Sequence, residues 1–98
     1  MPYVLIVIRT FRSKALRQFA AKGDVSKLQV QNPDRIRRII LALNAAKAAQ
    51  HMDIPGLKFH GLKGRDRGRD SVWVSGNYRV TFGFEGEDAI DVDLEDYH

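Results

Sequence analysis

The chain has 98 residues, a formal net charge of +4 and no cysteine. These values indicate one globular domain over residues 1–98, and they exclude a disulfide framework, a thiolate nucleophile and a cysteine-based zinc site. All sixteen Lys and Arg residues precede residue 80, whereas seven of the twelve acidic residues follow it. This asymmetry suggests a polyanion-binding surface, with a merely solvated basic face as the alternative that charge alone leaves open.

The first predicted element is a strand over residues 3–10. Its apolar positions are continuous rather than alternating, which predicts burial on both faces and hence a central strand. The apolar run is too short to span a membrane, and charge follows it where a signal peptide would carry small residues. We therefore expect a cytoplasmic protein.

Two helices are predicted next. Residues 12–22 place Leu16 and Phe19 on one face, and Gly23 is a natural C-terminal stop. The second helix has Asn32 as N-cap and Pro33 at its first position. Its apolar stripe follows the i, i+3, i+4, i+7 spacing and consists of Ile36, Ile39, Ile40, Leu43 and Ala46.

The hydrophobic period changes to two after residue 70. Residues 72–74, 78–84 and 89–94 predict three strands joined by short turns, and Ile90, Val92 and Leu94 are expected on the buried face of the last one. The element order β-α-α-β-β-β predicts an α+β fold in which two helices pack on a small antiparallel sheet.

The histidines and the last residues suggest RNA cleavage. Attack by a 2′-hydroxyl on its neighbouring phosphate needs a base, a cation at the phosphoryl oxygens and an acid for the leaving 5′ oxygen, and imidazole serves both proton steps. His51, near a helix end, is interpreted as ordinary. His60 lies in a basic loop, where the alternative is a solvent-exposed histidine without a role. His98 follows Tyr97 at a chain end, where disorder is the usual state unless the strand before it anchors the tail.

A cluster of cations predicts phosphate binding. The loop around His60 combines glycines, which allow close approach of the backbone to a phosphate, with Lys58, Lys63, Arg65, Arg67 and Arg69. The alternative is a flexible loop that is only soluble. Arg79 lies inside a strand, where its planar fork can hold a phosphate or pair across the strands with Asp91 or Asp93.

Two further interpretations remain open from the residues alone. Trp73 is either part of the core or a platform for a stacked base. A metal site built from His60, Asp96 and His98 has little support, because two histidines and one carboxylate at unknown separation are weak signals.

Four segments follow one another along the second half of the chain: FHGLKG at 59–64, SVWV at 71–74, YRVTF at 78–82 and EDYH at 95–98. Their sequences and their spacing resemble the HigB branch of the RelE/ParE toxin superfamily. The resemblance is most specific over residues 57–98.

The resemblance implies the toxin of a type II toxin–antitoxin pair that cleaves mRNA in the ribosomal A site without a metal or other cofactor. It also implies a helix-turn-helix, HigA-like antitoxin as partner, with operator DNA contacted only through that antitoxin. The catalytic candidates that it implies are His60, Asp96, Tyr97 and His98, assisted at the phosphate by Lys63 and Arg79. We assign His60 or His98 as base or acid, Asp96 to orienting an imidazole, and Tyr97 to positioning the nucleotide.

Two other functions fit the same fold. One is a gyrase-directed, ParE-like toxin, which has no evident use for the histidines. The other is a non-catalytic module that binds RNA or the ribosome, which would keep its salt-sensitive affinity without His98.

Overall fold

The computed structural model describes residues 8–28, 33–64 and 68–97. Within them lie two α-helices, a short 3₁₀ helix and a four-stranded antiparallel sheet with strand order β1-β2-β3-β4. The elements are α1 (Lys14–Lys22), α2 (Pro33–Ala45), the 3₁₀ helix (Ala49–Met52), β1 (His60–Gly61), β2 (Asp70–Ser75), β3 (Tyr78–Glu85) and β4 (Asp88–Asp96). This confirms the predicted α+β class. None of the helices in these ranges has the length and apolar character that a membrane span requires.

Local hydrogen bonds fix the ends of α1. The Ser13 hydroxyl accepts from the backbone N–H of Leu16 at 3.1 Å, so the helix begins at Lys14 rather than at residue 12. Gly23 adopts φ 71° and donates its N–H to the Phe19 carbonyl at 2.8 Å, which is the predicted left-handed stop.

Helix α2 supplies the largest contribution to the core from the helices. It begins at Pro33, as predicted, while the predicted N-cap Asn32 lies outside the described residues. All five positions of its predicted apolar stripe are buried, and they form one cluster with the apolar residues of the sheet: Val72, Val74, Val80, Phe82, Ala89 and Val92. The helical periodicity therefore predicted the packed face correctly.

The described end of the predicted N-terminal strand runs beside β4. Phe11 and Val92 form an isolated parallel bridge. The Arg9 N–H donates to the Ala89 carbonyl at 2.9 Å, and the Val92 N–H donates to the Thr10 carbonyl at 3.2 Å. Residues 1–7, on which most of the central-strand prediction depends, lie outside the described residues.

The register of the sheet defines two faces. Val72, Val80 and Leu94 pair across three strands on the face that is buried in the core, which we call the inner face. The residues that alternate with them form the outer face, in two rows. The first row is His60, Ser71, Thr81 and Asp93, and the second is Trp73, Arg79 and Glu95.

A bulge in β4 changes the predicted alternation. The register shifts between Thr81 and Gly83, and Asp91 has a positive φ of 52°. Gly83 therefore pairs with Ile90 on the outer face, while Ala89, only 2% exposed, takes the inner position. The prediction that Ile90 lies on the buried face with Val92 and Leu94 was wrong, because one extra residue reverses the side to which all earlier residues point.

Alanine at Gly83 is expected to raise the free energy of unfolding by about 0.5 kcal/mol. An added Cβ would lie 3.5 Å from Ile90 Cγ1, an ordinary van der Waals contact, and would remove freedom from the unfolded chain. Urea titration with Gly23→Ala as control tests this. The control should lower stability by about 1 kcal/mol, because φ 71° disfavours a side chain. A loss of stability in Gly83→Ala would contradict the expected fit.

Candidate active site

His60 lies on a short edge strand that the sequence did not predict. It pairs with Ser71, and its side chain is exposed. Ser71 is fully buried beneath the outer face. Because the pairing fixes the backbone of His60 on the sheet, the imidazole belongs to a defined face rather than to an irregular loop.

Arg79 occupies the next row of the outer face. It is opposite Trp73 on β2 and Glu95 on β4, and its Nη1 donates to the Ser71 hydroxyl at 3.2 Å. The predicted alternative, an ion pair with Asp91 or Asp93, does not form. In the part of the chain that the structure describes, no carboxylate lies within 4.0 Å of this guanidinium.

Both aspartates are held elsewhere. The backbone N–H of Asp91 donates to the Thr10 hydroxyl at 2.8 Å, and its carboxylate lies 3.8 Å from Arg12. The Asp93 carboxylate accepts from the backbone N–H of Leu94 at 2.9 Å. His60 and Arg79 thus approach the buried Ser71 from two sides, with the guanidinium not neutralised by either aspartate.

Two cations lie against the ring of Trp73, the residue that is opposite Arg79 in the register. The Lys58 ammonium and the Arg35 guanidinium each lie 4.8 Å from the centroid of its ring, while its indole N–H donates to the Gly76 carbonyl at 2.9 Å. Lys58 has a positive φ of 51°, a strained conformation for a lysine. The half-buried ring therefore lies against two cations, and its stacking on a base stays a prediction.

The C-terminal candidates lie across the sheet from His60. Tyr97 is 37% exposed, and its backbone N–H donates to the Asn77 carbonyl at 2.8 Å. Asp96 pairs with Tyr78, which assigns it to the side of the sheet opposite Arg79. The outer-face carboxylate at this end is instead Glu95. His98 lies outside the described residues.

The remaining cations divide into two groups. Lys63 is exposed just after β1, and Arg65 and Arg67 lie outside the described residues. Arg69, which the sequence placed with the loop cations, instead binds the sheet: its Nη2 donates to the Thr81 hydroxyl and to the Asp91 carbonyl, both at 2.9 Å. His51 is structural, since its Nδ1 accepts from the Lys47 N–H at 3.1 Å.

Sequence reasoning missed Ser71, Thr81 and Glu95 as parts of this surface. Ser71 and Thr81 are the buried polar residues of the described chain. The period-two pattern carried a signal for all three, because it alternates them with Val72, Val80 and Leu94. The predicted roles of the site residues as a set stay predictions.

Partial burial raises the pKa of the Asp70 carboxyl at the start of β2. The folded state then retains a proton to higher pH than the unfolded state, so stability falls as pH rises through the two pKa values and stays lower above them. Asp70→Asn is expected to raise the unfolding free energy at pH 7, by less than about 0.5 kcal/mol, but not at pH 3. Urea titrations at both pH values check this; an equal gain at pH 3 would contradict the assignment.

No group of three or more His, Cys, Asp or Glu side chains within residues 8–28, 33–64 and 68–97 is arranged to hold a metal ion. Among the described residues, the surface consists of an exposed imidazole, a guanidinium without a carboxylate partner and the cations Lys58 and Lys63 on either side of β1. This set can bind a phosphate and move a proton beside it.

Comparison with known proteins gives two matches. The family described as "RelE-like toxin of type II toxin-antitoxin system HigB" matches residues 9–98. A relative named Endoribonuclease HigB, from Proteus vulgaris, is 35% identical over 92 residues, which cover 94% of this chain and 100% of the relative.

Proposed function

Because the chain belongs to the HigB-like family of RelE-like toxins of type II toxin–antitoxin systems, we propose that it is a ribosome-dependent endoribonuclease that cleaves mRNA in the A site. The relative's name supports the ribonuclease activity. A toxin of this type has an antitoxin partner. We propose a helix-turn-helix, HigA-like antitoxin, which would also make the contact with operator DNA.

The observation that carries the proposal is that His60 and Arg79 both lie next to Ser71 on the outer face. They flank the small, buried Ser71 side chain, so a phosphate can enter between an imidazole and a guanidinium. Arg79 has no carboxylate partner among the described residues. A gyrase-binding surface has no evident need for such a pair.

The order of the strands supports an in-line reaction. Arg79 on β3 lies between His60 on β1 and the C-terminal end of β4, and three strand spacings, about 14 Å on a flat sheet, separate the outer two. The guanidinium, with Lys58, Lys63, Arg65 and Arg67, would hold the scissile phosphate. His60 and His98 would then meet the entering and leaving oxygens from opposite sides.

The proposed reaction uses two imidazoles for its proton transfers and needs no metal. The 2′ oxygen gives its proton to one imidazole and forms a bond to phosphorus, the bond from phosphorus to the 5′ oxygen breaks, and the other imidazole protonates that oxygen. Tyr97 would position the nucleotide. Since the register separates Asp96 from His60, the imidazole that Asp96 orients in this proposal is that of His98. Action on ribosomes implies a cytoplasmic location.

Primer extension on ribosomes programmed with a defined mRNA tests the proposal, with naked mRNA and the His98→Ala variant as controls. Cuts confined to the A-site codon should require ribosomes and disappear in the variant. The fragments should carry a 2′,3′-cyclic phosphate and a 5′-hydroxyl, because the 2′ oxygen is the nucleophile.

Other results separate the alternatives. Wild-type protein that makes no cuts but binds ribosomes in a salt-sensitive manner would be a non-catalytic binder. Absence of both activities would direct the next assay to gyrase. A 5′-phosphate at the cut would contradict the 2′-hydroxyl mechanism even if cleavage occurs.

A further inference from the structure

A hydrogen-bonded relay lies beneath the outer face, next to Arg79. Arg69 Nη2 donates to the Thr81 hydroxyl at 2.9 Å, and that hydroxyl donates to Glu95 Oε2 at 2.6 Å. Thr81 is fully buried, and Arg69 is fixed a second time through the Asp91 carbonyl at the bulge of β4. The Thr81 hydroxyl has one proton. Because its oxygen accepts from Arg69, that proton is directed to the Glu95 carboxylate.

The relay matters because Glu95 is directly opposite Arg79 in the register. Side chains opposite each other in an antiparallel pair have Cβ atoms about 5 Å apart, and opposite charges there attract. An ion pair of Glu95 with Arg79 is therefore the expected arrangement. Glu95 instead accepts from Thr81, and Arg79 donates to Ser71.

We propose that Thr81 is a positioning residue that holds the Glu95 carboxylate away from Arg79 and so leaves the guanidinium open to an RNA phosphate. This rests on the proposed function for the identity of the phosphate. The short bond from a buried hydroxyl to a carboxylate is of the strong, charge-assisted kind, whereas an ion pair between the half-buried Arg79 and Glu95 would be screened in part by solvent and contribute less. The balance between the two arrangements favours the relay only while the hydroxyl is present.

The first variant removes the hydroxyl and keeps the shape. Thr81→Val should release Glu95 to pair with Arg79 and raise the KM for programmed ribosomes about fivefold, the factor that a surface ion pair can supply. The kcat should change less than the KM, because the reacting groups remain. Thr81→Ser keeps the donor and should restore the KM.

The second variant distinguishes positioning from simple damage to the fold. Thr81→Val combined with Glu95→Gln removes the competing charge, so its KM should return to within about twofold of wild type, although the buried hydroxyl is still absent. If the double variant is as impaired as Thr81→Val, the loss is structural and the proposal is wrong. A KM unchanged in Thr81→Val would also overturn it.

A binding measurement keeps the test independent of cleavage and of the stability of Thr81→Val. The Arg79 side-chain N–H signal should respond to inorganic phosphate in wild type, and Glu95→Gln, which can still accept from Thr81, should bind phosphate no more than about twofold more tightly. A gain above about fivefold would mean that Glu95 already competes in the wild type. If wild-type protein does not cut on ribosomes, the proposed function fails, whereas these phosphate titrations still test whether Glu95 is kept from competing for Arg79.

Discussion

Alanine at His60 is expected to lower the rate of mRNA cleavage on programmed ribosomes by about 10²- to 10⁴-fold. The imidazole is exposed on β1, so its removal takes a proton-transfer group from the site without opening a cavity in the core. The effect should appear in the rate constant for cleavage under single-turnover conditions, with ribosome binding almost unchanged. Added imidazole should restore part of the rate, because the outer face is open to a small molecule.

His51→Ala is the matched control, since its side chain bonds only to a nearby backbone N–H among the described residues. It should cut at a rate within about twofold of wild type. Full activity in His60→Ala would mean that other groups carry out both proton transfers and that His60 takes no part in the mechanism. A loss that imidazole does not restore, accompanied by a lower unfolding midpoint, would assign His60 to the structure of the edge strand.

Alanine at Arg79 is expected to lower kcat/KM by about 10²- to 10³-fold, the cost of losing a positioned donor at a phosphate that gains charge. The dependence of ribosome affinity on salt should weaken by about one unit of slope, as expected for one lost phosphate contact. Arg79→Lys should recover only part of the rate, because an ammonium cannot hold two phosphate oxygens in a planar fork. Kinetics at several salt concentrations measure all three quantities.

Arg17→Ala controls for loss of net charge, because Arg17 is exposed on α1 and distant in sequence from the outer face. It should change kcat/KM by no more than about twofold. An equal loss in both variants would mean that general attraction to RNA, rather than a specific contact of Arg79, accounts for the effect.

The helices and hairpins were predictable because local chemistry determines them. Pro33 begins α2 because its φ is fixed near the helical value, and Gly23 ends α1 because it adopts a left-handed conformation. The apolar residues of α2 recur with the helical period, so they lie on one face and pack in the core. Strands β2, β3 and β4 were visible from alternation and turns. A strand of two residues has no period, so β1, which positions His60, could not be found this way.

The arrangement of the candidate site residues was only partly predictable from the sequence. The alternation that placed Leu94 inward also assigned Glu95 outward and Asp96 inward, so the separation of Asp96 from Arg79 followed from the pattern. The bulge at Asp91 did not, because it depends on contacts with Thr10 and Arg69 that are distant in sequence. The same distance explains why Arg69 was grouped with loop cations rather than with Thr81.

The contacts between the segment at residues 8–12 and β4 also bear on the order in which the fold forms. Arg9 and Asp88 are 79 positions apart, yet they bond side chain to side chain at 2.5 Å, and their neighbours bond backbone to backbone. Pairing between segments so distant in sequence is slow to form. Until β4 is available, Arg79 has no neighbouring strand on that side and the outer face is incomplete. The outer face is therefore complete only once β4 has paired with β3, and the contacts of β4 with residues 8–12 secure that arrangement.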